Sequence, residues 1–154
     1  MKLMHIRIAA AVVLFLFFAP ATAQKVWKIM PVGNSITAGV GGSNGYGYRD
    51  DLSTKLKSAG VSFDLVGPDG TPYNGHFLSG AKIEDFMPGG SKDISTSLMT
   101  HQPNILLLHL GTNNMSHEVA PYSNNRGISY ENTASGLLAG FLRYLNQYAN
   151  GTRA

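Results

Sequence analysis

Apolar and polar residues alternate along this chain in blocks, and three short apolar blocks have the length of buried strands. These blocks run from Val26 to Val32, from Ser62 to Val66 and from Asn104 to Leu110. Each is four to eight residues long and lies close to a glycine or proline, which is typical of a strand. The sequence therefore predicts at least three strands that are well separated along the chain.

The segments between these strands have helical patterns. A helix is predicted from about Tyr48 to Ser58, ended by Gly60, and short helices are predicted around Ile83 to Phe86 and Asp93 to Met99. Glycine directly after a periodic segment is a common helix stop signal. Strands that alternate with helices in this way predict a parallel sheet.

The clearest periodic signal is a long helix near the carboxyl end. Its apolar residues recur at spacings of three and four, which predicts one buried stripe packed against the sheet. The stripe consists of Ala134, Leu137, Leu138, Phe141, Leu145, Tyr148 and Ala149. The fold class predicted is α/β, a three-layer α/β/α sandwich of the flavodoxin-like kind.

The first strand runs into the most informative short motif, Gly-Asn-Ser-Ile-Thr at Gly33 to Thr37. A serine on the turn after a parallel strand lies at the carboxyl edge of the sheet, where α/β proteins perform their chemistry. If a helix opens there, the backbone amides near Ser35 can stabilise an anion that forms beside them. The alternative is that serine and asparagine simply cap a helix in this turn.

Two later segments favour catalysis over capping. Ser79-Gly80 follows a polar loop after the second strand, and Gly111-Thr112-Asn113-Asn114 follows the third strand directly. Each strand-like run thus leads toward a small or amide-bearing residue. Together they could bring a serine oxygen, a backbone amide and a side-chain amide to one pocket.

In these blocks and in their order, the chain resembles the SGNH hydrolases, also called the GDSL-type esterases and lipases. The block from Lys28 to Thr37 is similar to the nucleophile block of that family, and the two later segments are similar to its glycine and asparagine blocks. Gly45 to Arg49 and Phe63 to Gly67 most resemble the secreted carbohydrate-esterase branch, which includes acetylxylan esterases.

The resemblance implies a specific chemistry. Ser35 would attack an ester carbonyl, while the amides of Ser35 and Gly80 and the side chain of Asn113 would bind the oxyanion. The substrate would be a small-molecule or polysaccharide ester, with acetylated carbohydrate first. Two positions depart from the family, since Asn34 and Asn114 stand where it usually and often carries aspartate. We expect these changes to alter loop stability rather than to remove the chemistry.

A larger departure concerns the general base. The family activates its serine with a histidine in an Asp-x-x-His arrangement, and the printed sequence contains none. We expect the chain to be the amino-terminal portion of such a domain. His76 and His117, on loops near the presumed site, are candidate replacement bases. His109 interrupts the third apolar run and is interpreted as a core histidine whose ring nitrogens are satisfied by hydrogen bonds. A non-catalytic carbohydrate-binding protein and an inactive truncated product remain alternatives.

The glycine-rich segment Gly39 to Tyr48 contains five glycines but lacks the Lys-Ser or Lys-Thr of a phosphate-binding loop. A flexible rim beside the nucleophile is the preferred interpretation. Its tyrosines could stack on a sugar ring, although surface packing is the ordinary explanation.

Composition narrows the class further. Met1 to Ala23 is typical of a secretory signal peptide, which predicts a secreted or periplasmic domain from Gln24 to Ala154 without stable membrane association. Two of the twelve basic residues lie in that leader, so ten basic and nine acidic residues remain, without a basic patch for nucleic acid. The absence of cysteine excludes thiolate catalysis and thiolate metal sites. No cofactor and no metal site are predicted.

Overall fold

The computed structural model describes residues 24–116 and 134–151. In this part of the chain, four parallel strands form one sheet. The strands are β1 (Trp27–Gly33), β2 (Phe63–Leu65), β3 (His76–Phe77) and β4 (Ile105–His109). The predicted signal peptide, Met1 to Ala23, lies outside the described residues, as does His117.

Strand β1 is the centre of the sheet. Its first half pairs with β2, from Trp27 opposite Phe63, and its last two residues pair with β3. Strand β4 occupies the other edge of β1, so Gly33 lies between Phe77 on one side and His109 on the other. The connections after β1, β3 and β4 therefore all leave the sheet at the same level, on its carboxyl edge.

Five α-helices and one 3-10 helix complete the described fold. They are α1 (Ser35–Ala38), α2 (Tyr48–Ser58), the 3-10 helix Ile83–Phe86, α3 (Ser95–His101), α4 (Thr112–Ser116) and α5 (Ala134–Ala149). The predicted helix from Tyr48 to Ser58 has these bounds in the structure, and the predicted strands agree within one or two residues. The predicted α/β class with a parallel sheet is confirmed.

The main core lies between one face of the sheet and α5. Successive strand residues point to opposite faces, and Met30 and Val32 share the face that α5 covers. Phe141 of α5 is fully buried against them. The predicted stripe is wrong at two positions, because Leu138 (36% exposed) and Ala149 are both exposed. Tyr144, which was not assigned to the stripe, is only 5% exposed.

Tyr144 can be buried because its hydroxyl group has partners. It hydrogen-bonds the Ser95 hydroxyl at the start of α3 and donates to Tyr148 at 3.4 Å. Burial raises the pKa of Tyr144 to about 12, so its hydroxyl stays protonated. A buried tyrosine hydroxyl needs such a partner. The spacing of apolar residues carries no information about that partner, so it did not identify Tyr144 as buried.

His76 is a buried residue of β3 and not a loop residue, which corrects the expectation from the sequence. The Nε2 atom lies 2.8 Å from the Lys92 carbonyl oxygen, so Nε2 carries the proton. The Nδ1 atom then accepts a hydrogen bond from the Ser97 hydroxyl at 2.7 Å. The ring also packs edge to face against Phe86. Both nitrogens are thus used inside the protein.

This environment predicts an acid-sensitive fold. Burial lowers the pKa of His76 below its ordinary value of 6.5. The carboxylates of Asp69 and Asp93 and the bond to the Lys92 carbonyl oppose this effect without cancelling it. A histidine with a lowered folded-state pKa stabilises the fold fully above its unfolded pKa, and the stabilisation is lost as pH falls through the folded pKa.

We therefore expect the free energy of unfolding to decrease as pH falls below about 6.5. The measurement is urea denaturation at half-unit pH steps from 8 to 4.5. His76→Gln should reduce the pH dependence across this window, and His101→Gln serves as the control that keeps it. If His76→Gln unfolded with the same pH dependence as the native protein, protonation of His76 would not be the cause of the loss of stability.

Candidate active site

The site begins where β1 ends, and Gly33 permits close packing there. A Cβ atom at this position would lie 2.7 Å from the His109 carbonyl oxygen and 2.2 Å from Oγ1 of Thr37. The Gly33 carbonyl accepts a hydrogen bond from the amide of Leu78 at 3.1 Å. Glycine at the end of β1 thus lets β4 and α1 approach, while the bond to Leu78 ties the segment after β3 beside it.

Asn34, and not Ser35, caps helix α1. Its Oδ1 atom accepts a hydrogen bond from the amide of Ile36 at 3.2 Å, and the side chain is 1% exposed. The Nδ2 atom of Asn34 is buried and has no hydrogen-bond partner among the described residues. Asparagine at this position therefore bonds the local backbone through Oδ1, while its Nδ2 donor has no acceptor among the described residues.

Ser35 is the first residue of α1 and is partly exposed. An amide in the first turn of a helix has no intrahelical acceptor, so the Ser35 N–H is free of the helix ladder. Within the described part of the chain, the Ser35 hydroxyl makes no hydrogen bond. Since Asn34 satisfies the cap, the capping explanation for Ser35 does not hold. A hydroxyl without a structural partner at a sheet edge can act as a nucleophile.

Gly80 follows β3 on a tight turn closed by a 3.1 Å hydrogen bond from the Ala81 amide to the Leu78 carbonyl. Its φ angle is +79°, in the left-handed region that favours glycine, and the residue is exposed. A Cβ atom here would meet nothing within 4 Å, so backbone conformation rather than space selects glycine. Because Leu78 is bonded to Gly33, this turn stands next to the start of α1.

Asn113 of α4 is directed toward the same turn. Its Nδ2 atom donates a 2.8 Å hydrogen bond to the carbonyl of Ala81, the residue after Gly80. A primary amide carries two hydrogens, so this bond fixes the side chain and leaves one donor. The three positions that the sequence selected, Ser35, Gly80 and Asn113, therefore lie on three connections that share the carboxyl edge of the sheet.

Asn114 has a supporting role that sequence reasoning described only as a departure. It is fully buried, its Oδ1 atom accepts from the amide of Ile83 at 3.0 Å, and its Nδ2 atom donates to Glu84 at 2.7 Å. It thereby joins α4 to the 3-10 helix that follows Gly80. Asparagine uses both its donor and its acceptor here.

Sequence reasoning missed Arg49 as an organising residue of this edge. Its guanidinium is 1% exposed and donates to four backbone carbonyls, those of Ala38 at 3.2 Å, Tyr46 at 3.1 Å, Gly70 at 3.3 Å and Tyr73. The group also lies 4.3 Å over the ring of Phe77. Burial lowers the pKa of Arg49. Arg49 thus ties the end of α1 to two loops.

The other histidines have separate places. His109 ends β4, and its Nδ1 atom is buried without a hydrogen-bond partner among the described residues, so the satisfied core histidine expected from the sequence is wrong at that atom. His101 ends α3.

Residues 24–116 and 134–151 contain no group of three or more histidine, aspartate or glutamate side chains that could hold a metal ion. None of the helices in these ranges is long and apolar enough to span a bilayer.

An all-parallel sheet carries Ser35, the left-handed Gly80 and the anchored Asn113 on connections at its carboxyl edge, as in the class of protein that the SGNH resemblance implies. Comparison with known proteins supports this class. The chain is similar to the multidomain esterase of Ruminococcus flavefaciens, with 35% identity over 63% of this chain and 16% of that protein. No protein-family model matches the chain.

The structure is similar to that of the Clostridium thermocellum family 3 carbohydrate esterase. The TM-score is 0.62 and the identity is 28%, over 79% of this chain and 55% of that one. The chain thus spans less than two thirds of the length of either relative. Both comparisons support the carbohydrate-esterase, SGNH-like resemblance drawn from the motifs.

Proposed function

We propose that this chain is a secreted serine ester hydrolase, or the amino-terminal part of one, that deacetylates carbohydrate. The observation that carries the proposal is that Ser35, Gly80 and Asn113 lie on three connections at the carboxyl edge of one sheet. Two similar proteins named as esterases support the reaction class, and the second is named for carbohydrate. The leader pattern of Met1 to Ala23 supports secretion.

The chemistry assigns each group a step. The Ser35 Oγ attacks the ester carbonyl carbon, and the carbonyl oxygen takes the negative charge. The amides of Ser35 and Gly80 and the second Nδ2 hydrogen of Asn113 donate to that oxygen. Collapse of the intermediate breaks the bond to the sugar oxygen, which takes a proton and leaves. Water then hydrolyses the acyl-serine and releases the carboxylate and a proton.

The proton of Ser35 needs an acceptor, because a serine at its ordinary pKa is a weak nucleophile. His76 does not fill this role, since both of its ring nitrogens are hydrogen-bonded within the fold. His117 lies outside the described residues and stays a candidate. The printed sequence holds no Asp-x-x-His, so the tests include any longer product of the same reading frame.

The proposal is tested by incubating the mature chain with p-nitrophenyl acetate and with acetylated xylo-oligosaccharide, and measuring released acetate. We expect release above the uncatalysed rate from both substrates, by this chain or by the longer product. Failure of both proteins with both substrates would overturn the hydrolase proposal. Binding of the oligosaccharide without acetate release would favour a carbohydrate-binding protein.

The assignment of Asn113 predicts a selective loss of turnover. Asn113→Ala removes one oxyanion donor, which typically costs on the order of a hundred- to a thousandfold in kcat. We expect KM for p-nitrophenyl acetate to change little, because the developing charge is absent from the ground state. Steady-state kinetics with matched thermal unfolding curves check this result.

The neighbouring residue supplies the contrast. Asn114→Ala removes a fully buried side chain that bonds Ile83 and Glu84, so we expect a loss of stability of about 1–3 kcal/mol. If Asn113→Ala raised KM without lowering kcat, its role would be substrate binding and the oxyanion assignment would be wrong.

A further inference from the structure

Two tyrosines from separate loops meet next to the helix that carries Ser35. The rings of Tyr46 and Tyr73 pack edge to face, with centroids 5.0 Å apart and an interplanar angle of 74°. Both residues are half-buried, so part of each remains open to solvent. Half-buried aromatic rings held in contact provide a preformed apolar surface of limited area.

The backbone around Tyr46 lies against α1. A Cβ atom on Gly47 would lie 2.6 Å from the Ile36 carbonyl oxygen, and one on Gly39 would lie 2.4 Å from the Gly45 carbonyl oxygen. Tyr46 is thus flanked by two glycines that contact α1 and the residue directly after it. This places its loop beside the first turn of the helix, where Ser35 lies.

Arg49 fixes the backbone of both tyrosines relative to α1. One guanidinium donates to the carbonyls of Tyr46 and Tyr73 and also to that of Ala38, the last residue of α1. The aromatic pair is therefore fixed by main-chain bonds that do not involve its rings or hydroxyl groups. A surface held in place before a ligand arrives loses little conformational freedom on binding.

The surroundings of the pair are polar. Asn44 accepts from the amide of Tyr46 at 2.9 Å and donates to Asp50 at 3.0 Å. A hydrogen bond to Asp50 raises the pKa of the Tyr73 hydroxyl. Tyr73 also lines an open groove of about 590 Å³, together with Lys57, Asp64 and Asn74. Donors and acceptors thus continue away from the rings along one side of the molecule.

This combination fits one ligand class. A sugar ring has an apolar C–H face that packs on an aromatic ring and a rim of hydroxyl groups that need donors and acceptors. The carboxylates of Asp50 and Asp64 outnumber the ammonium of Lys57 around the pair and the groove, which disfavours an anionic ligand. A purely apolar ligand would leave the groove's polar groups unpaired. A neutral oligosaccharide satisfies both requirements.

We propose that Tyr46 and Tyr73 form a sugar-binding subsite that receives a ring of the carbohydrate ester next to Ser35, with the polar groove as its continuation. The ester part of this inference, cleavage beside Ser35, rests on the proposed function. The binding of a sugar ring by the two tyrosines does not depend on it. Arg49 is the positioning residue of this subsite.

The test compares a substrate that has a sugar with one that has none. In Tyr46→Ala and Tyr73→Ala, we expect KM for acetylated xylo-oligosaccharide to rise about tenfold, as for a loss of about 1.4 kcal/mol. Hydrolysis of p-nitrophenyl acetate should stay within twofold. Tyr46→Phe and Tyr73→Phe keep the rings and should resemble the native protein with both substrates.

A binding measurement separates this inference from the proposed function. Xylo-oligosaccharide without acetyl groups is titrated into the Ser35→Ala protein by calorimetry, with and without the tyrosine substitutions. Tyr46→Leu and Tyr73→Leu keep apolar packing and serve where an alanine variant fails to fold. Weaker binding in the leucine variants supports the subsite even if no ester is cleaved. The subsite proposal is overturned if the tyrosine variants bind the oligosaccharide as tightly as the protein without them. It is also overturned if the alanine variants lose the same activity with p-nitrophenyl acetate as with the acetylated oligosaccharide.

Discussion

Replacing Ser35 with alanine is expected to abolish ester hydrolysis while the protein remains folded. The loss in kcat should be on the order of a thousandfold or more, because loss of a nucleophile leaves only the oxyanion donors and substrate binding. The fold should be unaffected, since Asn34 caps α1 and the Ser35 hydroxyl makes no hydrogen bond in the described part of the chain. Ser35 also stands at the first helical position, where alanine is readily accommodated.

The measurement is acetate release from p-nitrophenyl acetate, with far-ultraviolet circular dichroism and thermal unfolding on the same samples. Ser43→Ala is the matched control, because Ser43 is an exposed serine in the glycine-rich loop beside the site. Its activity should equal that of the native protein. Native activity in Ser35→Ala would refute the nucleophile assignment, and loss of folding would show a structural role that the contacts do not indicate.

Much of the fold was predictable because it depends on local periodicity. The helix from Tyr48 to Ser58 is followed by a glycine stop signal, and β1 is a mostly apolar run whose last five residues are buried. Strand β3, His76–Phe77, was not predicted, since two residues cannot show a period. Its existence depends on pairing with the end of β1, which is a tertiary interaction.

The residues of the candidate site were predictable, but the contacts that hold them in position were not. Ser35, Gly80 and Asn113 belong to short motifs after strands, and parallel pairing accounts for their common edge. His76 was predicted to be a loop residue because its two-residue strand shows no pattern in the sequence. Its hydrogen-bond partners Lys92 and Ser97 are distant in sequence, so its burial was not predictable either. Contacts between separated segments leave no local pattern, so they become evident only in the folded chain.

Arg49 is the strongest example of such a support, and its removal should cause the largest loss of stability. Arg49→Met keeps much of the side-chain volume but leaves the carbonyls of Ala38, Tyr46, Gly70 and Tyr73 without their donor. Removing one partner from a buried polar network is strongly destabilising, and we expect a loss of about 3 kcal/mol or more. This is a large share of an ordinary domain's stability.

Urea denaturation of Arg49→Met beside Arg143→Met provides the measurement and its control. Arg143 is an exposed residue of α5, so its substitution should change the free energy of unfolding by less than about 0.5 kcal/mol. A native midpoint in Arg49→Met would show that the four carbonyl contacts contribute little.

Arg49→Lys distinguishes geometry from charge at this position. Lysine keeps the positive charge, but its ammonium is a compact group with three donors and cannot reproduce a planar fork that serves four carbonyls. We therefore expect Arg49→Lys to recover only a minor part of the stability lost in Arg49→Met. Full recovery would mean that charge alone, beside the ring of Phe77, holds this edge together. Partial recovery with a raised KM for the oligosaccharide would indicate that the fork orients Tyr46 and Tyr73 as well as stabilising the fold.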